Sequence, residues 1–246
     1  MVPRIGRETV RTMLVAQHLR PWRYQMWLSA KVARAADFVA RVKNLRALYT
    51  RPLAQDEVVL SEDEKTSLQP RPRKALTLPA GPLQPIRVEH EYTRCGAWNL
   101  FSVINTRTGK VSARCARRKR QSEFIGFLEQ LDQEFDASIR VIHMVLDNVR
   151  MHTGKAVQAW LKAHPRFVFH PPPVHCSWMN QIEQWFSILQ RKRLRIADFA
   201  GLADLEHRLM QFIAEWNQQA HAFGWSEASF EKILSKCREA QLLKAA

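Results

Sequence analysis

The sequence predicts an α/β fold, because short β-branched runs alternate with segments of helical periodicity. A strand-like run begins at Glu57, two further runs meet at a turn containing Gly109, and a mostly apolar run leads to Asp147. Amphipathic segments lie between and after these runs. The 246 residues, 46% of them hydrophobic, are enough for one sizeable core.

Residues 1–50 are predicted to be helical. Apolar residues recur at helical spacing in two stretches separated by Pro21: Val10, Met13 and Leu14, then Phe38, Val42, Leu45 and Leu48. Between them, PWRYQMWLSAK mixes basic and aromatic residues. This composition suits an arm that lies on nucleic acid, or equally a linker whose Trp22 and Trp27 pack on the core.

The next part of the chain is predicted to be mostly strand and loop. The run VVLSEDEKT after Glu57 is predicted to be a strand that ends in acids. Residues 69–87 contain five prolines and one glycine, which indicates an extended loop without its own core. AWNLFSVIN and KVSARCAR are predicted to form a hairpin through Thr106 to Gly109.

The second half alternates helices and strands. Ser122 is expected to cap a helix with the apolar face Phe124, Phe127, Leu128, Leu131 and Phe135. IRVIHMVLDN is apolar on both faces, which predicts a buried central strand with Asp147 at its end. A helix at KAVQAWLKA and a strand at RFVFH follow.

The C-terminal part is predicted to be helical. A helix from about Asn180 buries Ile182, Trp185, Phe186 and Leu189, and it leaves Glu183 at the edge of that face. The last two helices are predicted at residues 202–216 and 226–243.

The charge of the chain indicates a polyanionic partner. Lysine and arginine total 38 against 23 acids, a formal charge of +15, which suits nucleic acid but also a ribosome or a membrane surface. No apolar run approaches the roughly 20 residues that span a bilayer, and the N-terminus does not resemble a secretory signal. A cytoplasmic location is therefore expected. Four cysteines without a Cys-x-x-Cys pair are interpreted as free thiols: Cys95, Cys115, Cys176 and Cys237.

Three acids are candidates for metal-dependent chemistry: Asp63 and Asp147, each at a strand end, and Glu183 on a helix. Phosphodiester cleavage needs an activated attacking oxygen and a stabilised leaving oxygen, and two Mg²⁺ ions about 4 Å apart can supply both. Such hard cations prefer carboxylate ligands.

In these motifs the sequence resembles bacterial insertion-sequence transposases of the mariner-like superfamily. The matching segments are VVLSEDEKTSLQPR, HEYTRCGAWNLFSVINTRTGKV, VIHMVLDNVRMH and SWMNQIEQWFSILQRKRLR, within about residues 20–235. Thirty-five residues separate Asp147 from Glu183, as in that family. The resemblance implies an RNase H-like mixed β-sheet flanked by helices, with a short helical segment before it.

The resemblance also implies a function and a domain plan. Asp63, Asp147 and Glu183 would bind two Mg²⁺ or Mn²⁺ ions for cut-and-paste transposition, with double-stranded transposon ends and target DNA as partners and a homodimer assembled on DNA. The implied regions are residues 1–50 as a helical remnant of a helix-turn-helix region, 51–200 as the catalytic domain, and 201–246 as helices packed on it. Since full members have a longer N-terminal region, the chain is expected to be N-terminally truncated.

Further residues of the motifs are candidates for supporting roles. Asn148, His152 and Asn180 are expected to position the substrate or the acids, although a helix cap by Asn148 and a surface His152 are the alternatives. Glu64 and Lys65 match the first motif, and a salt bridge or a phosphate contact would also explain them. Glu62 adds a charge beside Asp63 that is expected to perturb metal binding.

Two basic clusters are candidate DNA contacts or, alternatively, solvated surfaces. Their members are Arg191, Lys192, Arg193 and Arg195, and Arg117, Arg118, Lys119 and Arg120. Two other functions remain open for the whole chain: another RNase H-like nuclease or resolvase, and a noncatalytic DNA-binding remnant.

Overall fold

One mixed sheet of five strands organises the fold in the computed structural model. The strands are β1 (Glu57–Leu68), β2 (Trp98–Asn105), β3 (Val111–Ala116), β4 (Val141–Val145) and β5 (Phe167–His170). Their order is β3-β2-β1-β4-β5. β1 pairs antiparallel with β2 and parallel with β4, β2 pairs antiparallel with β3, and β4 pairs parallel with β5.

The structure describes residues 5–19, 37–173, 176–196, 198–225, 227–228 and 230–231. Its α-helices are α1 (Arg7–Ala16), α2 (Phe38–Thr50), α3 (Gln121–Glu134), α4 (Arg150–Thr153), α5 (Lys155–Ala163), α6 (Ile182–Leu189) and α7 (Leu202–Gln218). No helix among these described residues is both long enough and apolar enough to cross a membrane.

The chain divides into two compact units, residues 1–34 and 35–246. In the first unit α1 forms as predicted, and none of its residues is buried. The second unit contains the sheet and all later helices. The basic and aromatic segment PWRYQMWLSAK and most of the predicted helix at 226–243 lie outside the described residues.

Helices cover both faces of the sheet. On one face, apolar side chains of α3 and α5 pack against β1 and β4, where Phe124, Phe127 and Leu60 are buried. On the other face, α6 and α7 pack on the β2–β3 hairpin, while α2 packs on Val59 and Val145. From Val58 to Glu64, this alternation places the even-numbered residues of β1 towards α3 and the odd-numbered residues towards the opposite face.

The predicted hairpin and central strand and the helices α2, α3, α5, α6 and α7 are confirmed, and the apolar faces of these helices are largely buried. The apolar residues of α1 are not buried. The predicted cap was wrong. α3 begins at Gln121, so Ser122 lies inside the first turn, where its hydroxyl donates to Glu123 Oε2 at 2.8 Å instead of capping. The Pro-rich segment after β1 is a loop with isolated bridges, such as Leu78 to Arg87.

Candidate active site

Asp63 and Asp147 lie just past the point where the neighbouring parallel strands β1 and β4 stop pairing. The prediction that Asp63 ends its strand was wrong, because β1 continues to Leu68 paired with β2; only Asp147 follows the end of its strand. The last register pair between β1 and β4 joins Ser61 to Val145. Asp63 and Asp147 each follow that pair by two residues, because parallel strands run in the same direction. The topology therefore brings together two acids that are 84 positions apart in the sequence.

Glu183 reaches the same region because the start of α6 is tied to β1. The Asn180 side chain donates to the backbone carbonyl of Glu62 at 2.6 Å and accepts a hydrogen bond from the Ser61 hydroxyl. The backbone N–H of Ile182 donates to the same hydroxyl at 3.1 Å. Asn180 is buried, as expected for a residue that orients the helix with Glu183.

The three acids influence one another electrostatically. Burial raises the pKa of Asp63 to about 7, and the negative charges of Glu64, Glu183 and Asp147 add to this effect, against one hydrogen bond from the Glu64 backbone that lowers it. The pKa of Asp147 is lowered, mainly by its hydrogen bond from His152. Asp63 is therefore an acid whose charge is costly without a nearby cation.

Next to these acids lies a buried cluster on the α3 side of the sheet: Glu62, Glu64 and His152. His152 Nε2 lies 2.9 Å from Glu64 Oε1 and 3.6 Å from Glu62 Oε2. One potential ligand atom from each residue lies within 4.8 Å of the others, so the group has the composition of a possible metal site. Burial of Glu62, with the charge of Glu64, raises its pKa well above the usual value.

The cluster settles the alternatives left open for two residues of the motifs, His152 and Glu64. His152 is 1% exposed, so its interpretation as a surface residue was wrong. Glu64 forms the alternative salt bridge, with its Oε2 at 2.9 Å from Lys119 Nζ.

Asn148 is exposed and does not cap α4, whose N-cap residue is Val149. The one contact described for Lys65 is to an aromatic ring, since its Nζ lies 5.6 Å from the Phe186 centroid.

The importance of Glu62 was missed, although strand alternation would have placed it on the same face as Glu64. The sequence reading treated it only as a charge beside Asp63. In the structure the two neighbours lie on opposite faces of β1, with Glu62 fully buried against His152.

The basic clusters are partly engaged within the protein. After α6, residues Gln190–Leu194 continue as a π-helical turn, in which Arg193 pairs with Glu215 at 2.8 Å. In the other cluster Arg120 pairs with Glu123 at 2.9 Å, and Arg117 lies 4.7 Å from the Trp98 ring. Four members are exposed and have neither an ion pair with an acid nor an aromatic ring contact in the described ranges: Arg118, Arg191, Lys192 and Arg195.

The mixed sheet, with two acids just past the last pair of its central parallel strands and a third on the helix after β5, defines an RNase H-like domain. Residues 57–206 match the family model described as DDE superfamily endonuclease. The chain belongs to this family, and the predicted recognition is confirmed.

One curated relative is the insertion element IS630 uncharacterized 39 kDa protein of Shigella sonnei, 30% identical over 114 residues. That alignment covers 46% of this chain and 33% of the relative. The chain therefore matches only about a third of that relative's length.

Solved structures of the Mos1 transposase share the fold. The match to the pre-cleavage Mos1 transpososome has a TM-score of 0.53 at 12% sequence identity. It covers 85% of this chain and 64% of the Mos1 chain. For the Mos1 Strand Transfer Complex the TM-score is 0.52 at 13% sequence identity, and the match covers 85% of this chain and 63% of the Mos1 chain. At these identities the likeness establishes the RNase H-like fold, with helices on both faces of the sheet.

Proposed function

We propose that this chain is the catalytic part of a DNA transposase that cleaves and joins phosphodiesters in cut-and-paste movement of an insertion sequence. One observation carries the proposal: Asp63 and Asp147 both follow the last β1–β4 pair by two residues, and Glu183 is held beside them by α6. The family and the insertion-element relative agree with this assignment.

The donor atoms fit divalent metal ions. Three carboxylates offer hard oxygen ligands of the kind that Mg²⁺ and Mn²⁺ prefer. Burial and the neighbouring acids raise the pKa of Asp63 to about 7, so a bound cation would favour its charged form. We propose that Asp63, Asp147 and Glu183 hold two such ions. The Mos1 mariner paired-end complexes with Mn and with Mg support the kind of ion. When bound, the ions would activate the attacking oxygen and stabilise the leaving oxygen.

The chain itself fixes the orientation of these ligands. The backbone N–H of Glu64 donates to Asp63 Oδ1 at 2.8 Å, and that of Val149 lies 3.4 Å from Asp147 Oδ1. Short local contacts of this kind hold a carboxylate in place before a cation arrives. Preorganised ligands lose little freedom on binding, which favours the charged transition state over the ground state.

DNA is the proposed substrate, both as transposon end and as target. The strongest candidates for phosphate contacts are the four exposed basic residues with neither an ion pair nor a ring contact in the described ranges, namely Arg118, Arg191, Lys192 and Arg195. Assembly as a homodimer on DNA is proposed from the paired-end complexes of Mos1.

The test is metal-dependent cleavage and joining of a labelled duplex that bears the inverted repeats flanking the gene. Asp63→Asn, Asp147→Asn and Glu183→Gln should each reduce cleavage to background with Mg²⁺ or Mn²⁺, because a neutral side chain binds a dication weakly. DNA affinity, measured by fluorescence anisotropy, should stay close to that of the wild type.

The matched control is Glu129→Gln, since Glu129 is an exposed acid on α3. This variant should cleave as fast as the wild type. Equal cleavage by wild type and Asp147→Asn would refute the metal assignment. A wild type that binds the repeats but cleaves with neither metal would instead support a noncatalytic DNA-binding protein.

A further inference from the structure

His152 connects the strand that carries Asp63 with the segment that carries Asp147. Its Nδ1 lies 3.0 Å from both the backbone carbonyl and Oδ1 of Asp147, and its Nε2 lies 2.9 Å from Glu64 Oε1. The ring packs against Phe124, with 4.5 Å between centroids. The imidazole is therefore fixed from three directions and shielded from water.

Oxygen atoms surround both ring nitrogens of His152. Nδ1 faces the backbone carbonyl and the carboxylate of Asp147, whereas Nε2 faces Glu64 and, at 3.6 Å, Glu62. The imidazole therefore bridges the Asp147 carboxylate and the buried glutamates.

Lys119 extends this bridge to the surface. Its ammonium group lies 2.9 Å from Glu64 Oε2, while His152 contacts Glu64 Oε1. Both oxygens of Glu64 therefore already have a partner within the protein, which favours an internal network over a third cation site.

We infer that Lys119, Glu64 and His152 form a positioning chain that sets the carboxylate of Asp147 for metal binding. The inference rests on the proposed function of Asp147. Both described contacts to its carboxylate, from His152 and from the backbone of Val149, fall on Oδ1. Oδ2 receives no hydrogen bond from the described residues and is the oxygen available to a cation. Lys119 is consequently a member of this chain and not a phosphate contact.

The test uses two substitutions that preserve opposite halves of the imidazole. In His152→Asn the amide nitrogen takes the place of Nδ1 and still donates to Asp147, whereas in His152→Gln it takes the place of Nε2 and contacts Glu64 alone. Mn²⁺ affinity, measured by electron paramagnetic resonance, should fall about 10- to 100-fold in the Gln variant and only about threefold in the Asn variant. The same pair at His164, which stacks on Trp160 away from the acids, should change nothing.

A second measurement needs no variant. Nitrogen-15 NMR of the metal-free wild type should show hydrogen on the His152 Nδ1 that faces Asp147, and a bare Nδ1 would overturn the inference. Equal Mn²⁺ affinity in the Asn and Gln variants would also overturn it, even if both fold. Loss of Mn²⁺ in Glu62→Gln with retention in Asp63→Asn would show that the cluster is itself a metal site.

Failure of the proposed function gives a different result. In that case Asp63→Asn and Asp147→Asn would bind Mn²⁺ as the wild type does. If those two variants lose Mn²⁺ while the His152 pair does not differ, the metal assignment stands and only the positioning chain is wrong.

Discussion

The side-chain amide of Asn180 donates to the backbone carbonyl of Glu62 across 2.6 Å, so the residue before Asp63 holds the start of the helix that carries Glu183. The two partners are 118 positions apart in the sequence. This buried hydrogen bond therefore helps to set the distance between Asp63 and Glu183, although it contacts neither carboxylate.

Removing this tie should weaken both stability and cleavage. We expect Asn180→Ala to lower the free energy of unfolding by about 2 kcal/mol, because the Glu62 carbonyl and the Ser61 hydroxyl lose a buried partner. Cleavage should fall about 10- to 100-fold as Glu183 loses its position. Urea denaturation and single-turnover cleavage measure the two effects.

Ser61→Ala tests whether the tie acts as a unit. Since Ser61 and Asn180 share one hydrogen-bond network, the double variant should lose less stability than the two single losses added together. Asn148→Ala is the control, because Asn148 is exposed. Additive losses would show that the two side chains act independently.

The salt dependence of DNA binding should distinguish basic residues that contact phosphate from basic residues that already pair with an acid of the protein. Arg191→Ala and Lys192→Ala should each flatten the slope of log affinity against log salt by about 0.9, because each removes one phosphate contact. Arg193→Ala should have a smaller effect, since Arg193 already pairs with Glu215.

Adjacent residues supply a second comparison in the other basic cluster. Arg118→Ala should flatten the slope, whereas Lys119→Ala should leave it unchanged because Lys119 is engaged by Glu64. A slope that does not change in Arg191→Ala, Lys192→Ala or Arg118→Ala would identify these clusters as solvated surface.

The β2–β3 turn should tolerate no side chain at Gly109. This residue has a φ of +72°, and an added Cβ would meet the backbone oxygen of His221 at 2.0 Å. We expect Gly109→Ala to cost about 2 to 4 kcal/mol of unfolding free energy, from backbone strain and displacement of the segment around His221. The control is Gly224→Ala, where a Cβ meets nothing within 4 Å. Equal urea midpoints for the two variants would contradict the expected clash.

Much of the fold could be predicted from local patterns. The hydrophobic run 139–146 and the hairpin turn at Gly109 are signals of period and turn chemistry, which act over a few residues. The strand order could not be read in this way, because pairing of β1 with β4 joins segments more than 80 positions apart.

Motifs indicate candidate residues for the site but not how those residues pack. They name Asp63, Asp147 and Glu183 as candidates, whereas nothing in the sequence predicts that His152 is buried. Its helix α4 has only four residues, too few to show a helical period. The π-helical turn after α6 also escaped prediction, because its basic residues simply continue the helical pattern.

The metal-free protein should lose stability as the pH rises, because Asp63 becomes charged in a buried position. Asp63 has a folded-state pKa of about 7 against an ordinary value of 3.8, so the folded protein retains a proton that the unfolded chain releases. The stabilising effect of that proton is complete below about pH 4 and is lost as pH rises to 7. Asp63→Asn removes the buried charge and keeps an oxygen that accepts from the Glu64 backbone. At pH 8 without metal, the variant should therefore be more stable than the wild type by about 2 kcal/mol in urea denaturation.

Metal should reverse this order. A ligand that binds only the folded state stabilises it in proportion to the logarithm of its concentration over Kd, so saturating Mn²⁺ should stabilise the wild type. The Asp63→Asn variant should gain much less, and the two unfolding curves should cross as Mn²⁺ is added. Below pH 4 the two proteins should unfold at similar urea concentrations, because Asp63 is neutral in both states there. If the variant is less stable than the wild type at pH 8 without metal, Asp63 does not bear an uncompensated charge. If both proteins gain equally from Mn²⁺, Asp63 is not a ligand.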